Sequence, residues 1–146
     1  MNDAALRGLS RAFCDALALR EPQRLAPFLD DDVDWMVFGP IDLFPCLGRK
    51  RGKAAVLAMC EELGRDFELG PCEAEQTLAV GEQCAAMVRF NAVHRASGRQ
   101  LSLRLAQFAQ FRGDKLVSLR AIFDSFDAAE QALGRTLDVS KAAWAG

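Results

Sequence analysis

The sequence predicts an α+β fold, in which a curved and mostly antiparallel sheet wraps around helices from the first half of the chain. Two observations lead to this prediction. Helical periodicity dominates the first half of the 146 residues, and four consecutive segments with strand character fill residues 73–124. A long first helix and a third helix laid across such a sheet would leave a cone between them, and small ligands bind in hollows of this kind. We expect one domain over residues 1–146, with its core at 5–134.

Two helices are predicted at the start of the chain. Residues 3–20 carry apolar side chains at the three- and four-residue steps that line one face of a helix. Those apolar positions are Leu6, Leu9, Phe13, Ala16 and Leu17. Residues 21–29 predict a second, shorter helix, because Pro22 suits a first turn, where its missing N–H costs nothing.

The segment "DDDVDWMVFGP" at residues 30–40 predicts the first strand. Val33, Trp35 and Val37 alternate with other residues, which is typical of a strand with one apolar face. The next segment, residues 41–52, has no period and is predicted to be a loop. Helical spacing returns over residues 53–68 and predicts the third helix.

Four strands and a short helix are predicted after that helix. The strands cover residues 73–80, 83–95, 100–112 and 115–124. Their separators, "VGEQ", "RASGRQ" and "RGDK", carry glycine beside polar residues, so each pair of neighbours forms an antiparallel hairpin. A helix over about 126–133 is expected to end at Gly134, and 135–146 form a tail, either disordered or docked through Trp144.

The composition excludes several classes of function. A net charge of −2 and the absence of a basic stripe argue against a nucleic-acid partner, and the short "GRKRGK" at 48–53 is interpreted as a solvated loop. No apolar run approaches the roughly 18 residues of a membrane span. The first residues lack the separate apolar segment of a signal peptide, so we expect a cytoplasmic protein with no membrane partner.

The cysteines and the histidine predict no metal site and no cofactor. The five cysteines are odd in number and widely spaced, which in a reducing compartment indicates small buried side chains rather than disulfides. His94 is the only histidine, so a zinc cluster is not expected. A catalytic thiol would have to use His94 as its base.

Three segments together resemble a known family. They are "LDDDVDWMVFGP", "GRKRGKAAVLAMCEEL" and "FRGDKLVSLRAIFDSFD". They resemble the polyketide-cyclase (SnoaL-like) branch of the nuclear-transport-factor-2-like superfamily, whose fold is shared by ketosteroid isomerases and limonene-epoxide hydrolases. The resemblance covers about residues 5–134 and implies a cone-shaped, cystatin-like α+β barrel. It carries little information about the reaction, because one fold hosts many chemistries.

The catalytic positions that the resemblance implies are not filled by catalytic residues. The aspartate base of a ketosteroid isomerase would fall at Val37 or Phe38. The Arg-x-Asp pair of an epoxide hydrolase is similar to Arg89 and Asn91, and its last-strand aspartate would fall at Ala121. We therefore expect neither the ketosteroid-isomerase mechanism nor the epoxide-hydrolase mechanism in this chain, since each needs carboxylates at these positions.

Asp124, at the junction of the last strand and the last helix, has two interpretations. It can accept hydrogen bonds from the N–H groups of the first helical turn. It can also be a pocket acid or base, because SnoaL-like cyclases place such an aspartate late in the sheet, and a one-residue bulge would turn Asp124 inward.

The other candidate ligand-binding residues are Trp35, Met59, Arg89, Asn91 and Ala121. In the orientation that the resemblance implies, Arg89 and Asn91 point into the cone, where the arginine meets a ligand anion or an internal acidic partner. Trp35 is expected to form the wall of the pocket. His94 is expected near the outer face or the hairpin, in a structural role. Arg104 and Gln107 lie on opposite faces of one strand, and either could extend a polar strip.

Three functions remain open at this point. The first is an isomerase or cyclase for a small, mostly apolar molecule, with Asp124 as base and with Arg89 and Asn91 stabilising oxyanion charge. The second is a small-molecule-binding module without catalysis, and the third is a dimeric interaction domain with a filled cone. Apolar residues on both faces of the sheet also predict a homodimer packed sheet to sheet.

Overall fold

The computed structural model describes residues 3–140. The helices are α1 (Asp3–Ala18), α2 (Lys53–Asp66) and α3 (Ser125–Leu133), with short 3₁₀ helices at Pro22–Arg24 and Ala26–Phe28. The strands are β1 (Leu29–Phe38), β2 (Gly48–Arg51), β3 (Phe67–Leu69), β4 (Glu73–Val80), β5 (Gln83–His94), β6 (Gln100–Arg112) and β7 (Lys115–Phe123). The long first helix, the third helix and the four late strands are confirmed to within about two residues.

The strands form one curled sheet in the order β2-β1-β7-β6-β5-β3, and β4 also pairs with β5. The β1–β7 pair is parallel, and the other pairs are antiparallel. The parallel pair is possible because a long stretch of chain separates β1 from β7, whereas a tight hairpin would force an antiparallel pair. The half-barrel with helices from the first half inside it confirms the cone-shaped α+β fold.

Two predicted elements are wrong. The basic segment predicted as a loop contains the edge strand β2, which pairs with β1 from Asp34↔Arg51 to Val37↔Gly48. A short, charged strand is a common sheet edge, because charges there discourage pairing with other chains. The predicted second helix is instead two single 3₁₀ turns, since Pro27 interrupts any longer α-helical ladder.

The core lies between the concave face of the sheet and the helices α1 and α2. Leu6, Leu9 and Leu17 of α1 are buried, as the helical spacing predicts. Val56, Met59 and Cys60 of α2 are also buried. The sheet contributes alternate residues along each strand, so its concave face is almost wholly apolar.

Part of the predicted tail lies outside the described residues, namely 141–146 with Trp144. Within the described part of the chain, no helix is both long enough and apolar enough to cross a membrane.

Candidate functional site

The concave face of the sheet encloses a cavity of about 150 Å³ beneath α1 and α2. Its wall draws on all three helices, on β1, β3, β5, β6 and β7, and on the loop between β1 and β2. The lining residues are Leu9, Ser10, Phe13, Trp35, Val37, Phe44, Cys46, Leu47, Met59, Leu63, Phe67, Leu69, Cys72, Val88, Phe90, Ala92, Leu101, Leu103, Leu105, Gln107, Leu119, Ala121, Phe123 and Ala128.

The loop between β1 and β2 folds back over the cavity and was not anticipated from the sequence. Phe44, Cys46 and Leu47 of this loop reach the wall. Gly39 makes this close approach possible, because a Cβ there would lie 2.5 Å from the side chain of Leu47 and 2.9 Å from the ring of Phe123. A loop without periodicity gives no sequence signal for which of its side chains point inward.

The cavity wall carries very few polar side chains. Ser10 and Gln107 supply a hydroxyl and an amide, and Trp35 supplies an indole. Among the described residues, no carboxylate, imidazole, ammonium, guanidinium or phenol lines it. The wall can therefore surround an apolar body and offer hydrogen bonds at a few points, and it provides no charge.

Three of the predicted ligand-binding residues lie in this wall. Trp35 and Met59 are 5% and 4% exposed, and Ala121 is 2% exposed. The ring of Trp35 packs 5.5 Å, centroid to centroid, from that of Phe13 on α1. Their position matches the predicted pocket, and their role in binding a ligand stays a prediction.

The predicted inward orientation of Arg89 and Asn91 is wrong. On β5 the cavity residues are Val88, Phe90 and Ala92, so the alternation of the strand turns Arg89 and Asn91 to the exposed convex face. The physical reason is that a guanidinium inside this apolar wall would have no counter-charge. Arg89 instead borders an open groove on the convex face.

Asp124 caps α3 and does not line the cavity. Its Oδ1 accepts a hydrogen bond from the backbone N–H of Asp127 at 3.0 Å, and the side chain is exposed. The preceding residue, Phe123, points into the cavity, so Asp124 continues the alternation toward the convex side. The register of β6 and β7 runs unbroken from Leu105↔Phe123 to Gln110↔Ser118, and no bulge turns Asp124 inward.

His94 ends β5 and is held at the hairpin. Its Nδ1 lies 2.7 Å from the Ser97 hydroxyl, and its ring packs 5.3 Å from that of Phe67. These contacts fit the structural role expected for it. Of Arg104 and Gln107, Gln107 faces the cavity, whereas Arg104 forms two hydrogen bonds with Glu75 on the convex side.

The expectation that the cysteines are simply small buried thiols is wrong for two of them. Cys14 of α1 and Cys72, which follows β3, form a disulfide with a Cα–Cα distance of 6.5 Å. The sequence alone does not indicate this pair, because the two cysteines are 58 residues apart. They meet only because the fold brings α1 against the β3–β4 turn. The cytoplasmic location stays a prediction. A disulfide does not support it, because disulfides are more common in oxidising compartments.

The remaining thiols are poor nucleophiles. Burial raises the pKa of the Cys46 thiol to about 11 and that of the Cys60 thiol to about 12. Cys46 is in the cavity wall, so the one free thiol of the described wall is protonated at neutral pH.

Solved structures show what the fold resembles. A protein from Rhodopseudomonas palustris, provisionally named an isomerase, is 38% identical, with a TM-score of 0.86, covering 92% of this chain and 100% of that one. A nuclear-transport-factor-2-like protein from Burkholderia xenovorans is 20% identical (TM-score 0.71; coverage 90% and 98%). An LEH-like epoxide hydrolase from M. tuberculosis is 14% identical (TM-score 0.69; coverage 90% and 91%).

The last two likenesses show the fold alone, and no curated protein matches the sequence. The sequence pattern of the SnoaL-like domain matches residues 10–119, which is well over half of the chain. Those residues include the second half of α1, all of α2 and β1–β6, the first half of β7 and most of the cavity wall. The fold is that of nuclear-transport-factor-2-like proteins, and the chain belongs to the SnoaL-like domain family.

Proposed function

We propose that this protein binds a small, uncharged, mostly apolar molecule in the cavity and that the wall performs no acid–base catalysis on it. One observation carries the proposal: the described wall is apolar apart from Ser10, Gln107 and Trp35, with no group that is ionised at neutral pH. Burying an unpaired charge in such a wall is costly, whereas an apolar ligand gains about 25 cal/mol per Å² removed from water.

The size of the cavity suits a ligand of about one ring. A cavity of about 150 Å³ is large enough for a benzene-sized molecule. An apolar wall offers water few hydrogen bonds, so a ligand would displace little tightly bound water. An open cavity supports a small-molecule role over a pure interaction domain, in which side chains would fill the cone.

An isomerase that abstracts a proton beside a carbonyl is the second candidate, and the 38% identical relative that is provisionally named an isomerase favours it. Such a reaction needs a base within hydrogen-bonding reach of the substrate. Asp124 is engaged as a helix cap on the other side of the sheet, and the Cys46 thiol has a pKa of about 11. Binding without proton transfer is the function that fits these residues.

The binding proposal is tested by titrating ethylbenzene into the protein and following methyl NMR signals of the wall leucines. We expect saturable shifts in the wild type and much weaker binding by Ala121→Leu, whose added atoms occupy part of the cavity. Ala79→Leu, on the exposed edge strand β4, is the matched control and should bind as the wild type does. Equal binding by Ala121→Leu and the wild type would contradict the proposal.

We further propose that two copies pair through the convex face of the sheet. Two neighbouring rows of that face are mainly apolar across β4, β5, β6, β7 and β1. By register they are Leu78–Ala85–Phe108–Arg120–Met36 and Gln76–Met87–Ala106–Ile122–Phe38. Leu78, Phe108 and Ile122 are at least half exposed. A second copy related by a two-fold axis would cover this band with an identical band.

A further inference from the structure

We propose that the amide of Gln107, together with the indole N–H of Trp35, makes the cavity select neutral ligands that carry a carbonyl oxygen. Ser10 positions Gln107 in this arrangement. The inference rests on the proposed function, because it concerns the ligand of the same cavity. It adds a recognition element that apolar burial alone does not supply.

Gln107 is incompletely satisfied by the protein. It lies on the inward face of β6 between Leu105 and Ala109 and is part of the cavity wall. Its Nε2 is 3.5 Å from the Ser10 Oγ, at the limit of hydrogen bonding, and residues 3–140 supply no other hydrogen bond to the amide. A side-chain amide has two donor hydrogens and an acceptor oxygen, so most of its capacity is left for a ligand.

Trp35 provides a second donor without a partner. Its Nε1 is buried and has no hydrogen-bond acceptor among the described residues. Buried donors are usually paired, because leaving one unpaired costs free energy. A ligand oxygen that reached this N–H after a small movement of the ring would remove that cost.

The two residues that carry these donors lie at the same side of the cavity wall. Gln107 contacts Ser10 and Trp35 contacts Phe13, and these two residues are one turn apart on α1. Across the sheet, Gln107 is paired with Ala121 and Trp35 with Leu119, which are alternate inward residues of β7. The donors therefore occupy neighbouring rows of the same wall, next to the same helix.

The chemistry of this pair favours a carbonyl over a carboxylate or a hydrocarbon. A ketone or aldehyde oxygen has two lone pairs and can accept from both donors. A carboxylate would need a cation, which the described wall does not provide. A pure hydrocarbon would leave both donors unpaired.

The test compares acetophenone, ethylbenzene and benzoate as ligands of the wild type, Gln107→Leu and Trp35→Phe. The first two probes have similar shapes and differ in the carbonyl, so the ratio of their affinities cancels effects of cavity volume. We expect this ratio to fall about tenfold in Gln107→Leu and several-fold in Trp35→Phe. Gln100→Leu, the same change at the exposed start of β6, should leave the ratio unchanged.

An infrared spectrum of bound acetophenone gives a second readout that a merely structural effect would not produce. The carbonyl stretch should lie at lower frequency in the wild type than in Gln107→Leu. An unchanged affinity ratio in Gln107→Leu, or tighter binding of benzoate than of acetophenone, would overturn this inference and leave the cavity-binding proposal standing. Failure of both neutral probes to bind the wild type would overturn both.

Discussion

The carboxylate of Asp124 accepts a hydrogen bond from the backbone N–H of Asp127 at 3.0 Å, across the first turn of α3. This contact assigns the first residue after β7 to the start of a helix. It also separates Asp124 from the cavity, whose nearest wall residue in sequence is Phe123. Asp124, the residue that the sequence offered as a catalytic base, therefore has a structural role as the cap of α3.

Asp124→Ala should lower the free energy of unfolding by about 1 kcal/mol, because it removes a helix cap. Asp124→Ser should recover most of that loss, since serine also caps helices. Urea unfolding measures both. Binding of ethylbenzene should be unchanged in either variant, and a large loss of binding in Asp124→Ser would show that the carboxylate acts at the cavity after all.

Thiol counting should find the Cys14–Cys72 disulfide. The unfolded protein should show three reactive thiols without reductant, from Cys46, Cys60 and Cys84, and five after reduction. The oxidised form should be more stable than the reduced form by about 2–4 kcal/mol, because the bond closes a loop of 58 residues.

Cys72→Ala is the matched check on that count. It leaves four of the five cysteines and frees Cys14, so four thiols should react without reductant. Five reactive thiols in the unreduced wild type would show that the bond is absent.

Asp34 should give the fold an acid-sensitive contribution. Hydrogen bonds from Arg49 and then Arg120, at 2.7–3.0 Å, hold the pKa of this carboxyl well below its usual range. A folded pKa below the unfolded value of about 3.9 stabilises the protein above that pH, and the benefit is lost as the pH falls toward the folded pKa.

Asp34→Asn should therefore lower the free energy of unfolding by about 1 kcal/mol at pH 7, and the gap to the wild type should shrink below about pH 4. Urea unfolding between pH 3 and pH 7 measures this. Asp32→Asn, on the same strand and outside the ion pairs of the described chain, should show no such trend. A gap for Asp34→Asn that stays constant down to pH 3 would contradict the assignment.

The periodicity of the sequence predicted most of the fold and the buried apolar faces from which part of the wall is built. Leu9, Phe13 and Met59 follow from helical spacing, and Trp35 from strand alternation, because burial of one face imposes both patterns. Ala121 came from a family motif and also lies in the wall. These are the residues for which local pattern and burial agree.

The sequence could not predict features that depend on distant parts of the chain. Both faces of β5 carry apolar residues, so alternation alone did not decide whether Val88 or Arg89 faces inward. The family orientation gave the wrong answer for Arg89. The disulfide and the pairing of Asp34 with Arg120 join residues 58 and 86 positions apart, and only the assembled sheet and helices reveal them.

Pairing through the convex face should be abolished by one charge in the middle of its apolar band. Phe108 is 57% exposed there, so Phe108→Arg would bring two arginines together across a two-fold axis and bury them. Analytical ultracentrifugation should find a dimer for the wild type and a monomer for Phe108→Arg.

Leu19→Arg is the control, because Leu19 is 53% exposed just after α1, away from the convex face of the sheet. The Leu19→Arg variant should remain a dimer, since an arginine outside the apolar band is not brought close to the same arginine of the second copy. At matched protein concentration the apparent unfolding free energy of Phe108→Arg should lie below that of Leu19→Arg, because a dimer's apparent stability includes its association and the monomeric variant loses that contribution. A wild type that sediments as a monomer at micromolar concentration, or a dimeric Phe108→Arg, would show that the band is not the interface between copies.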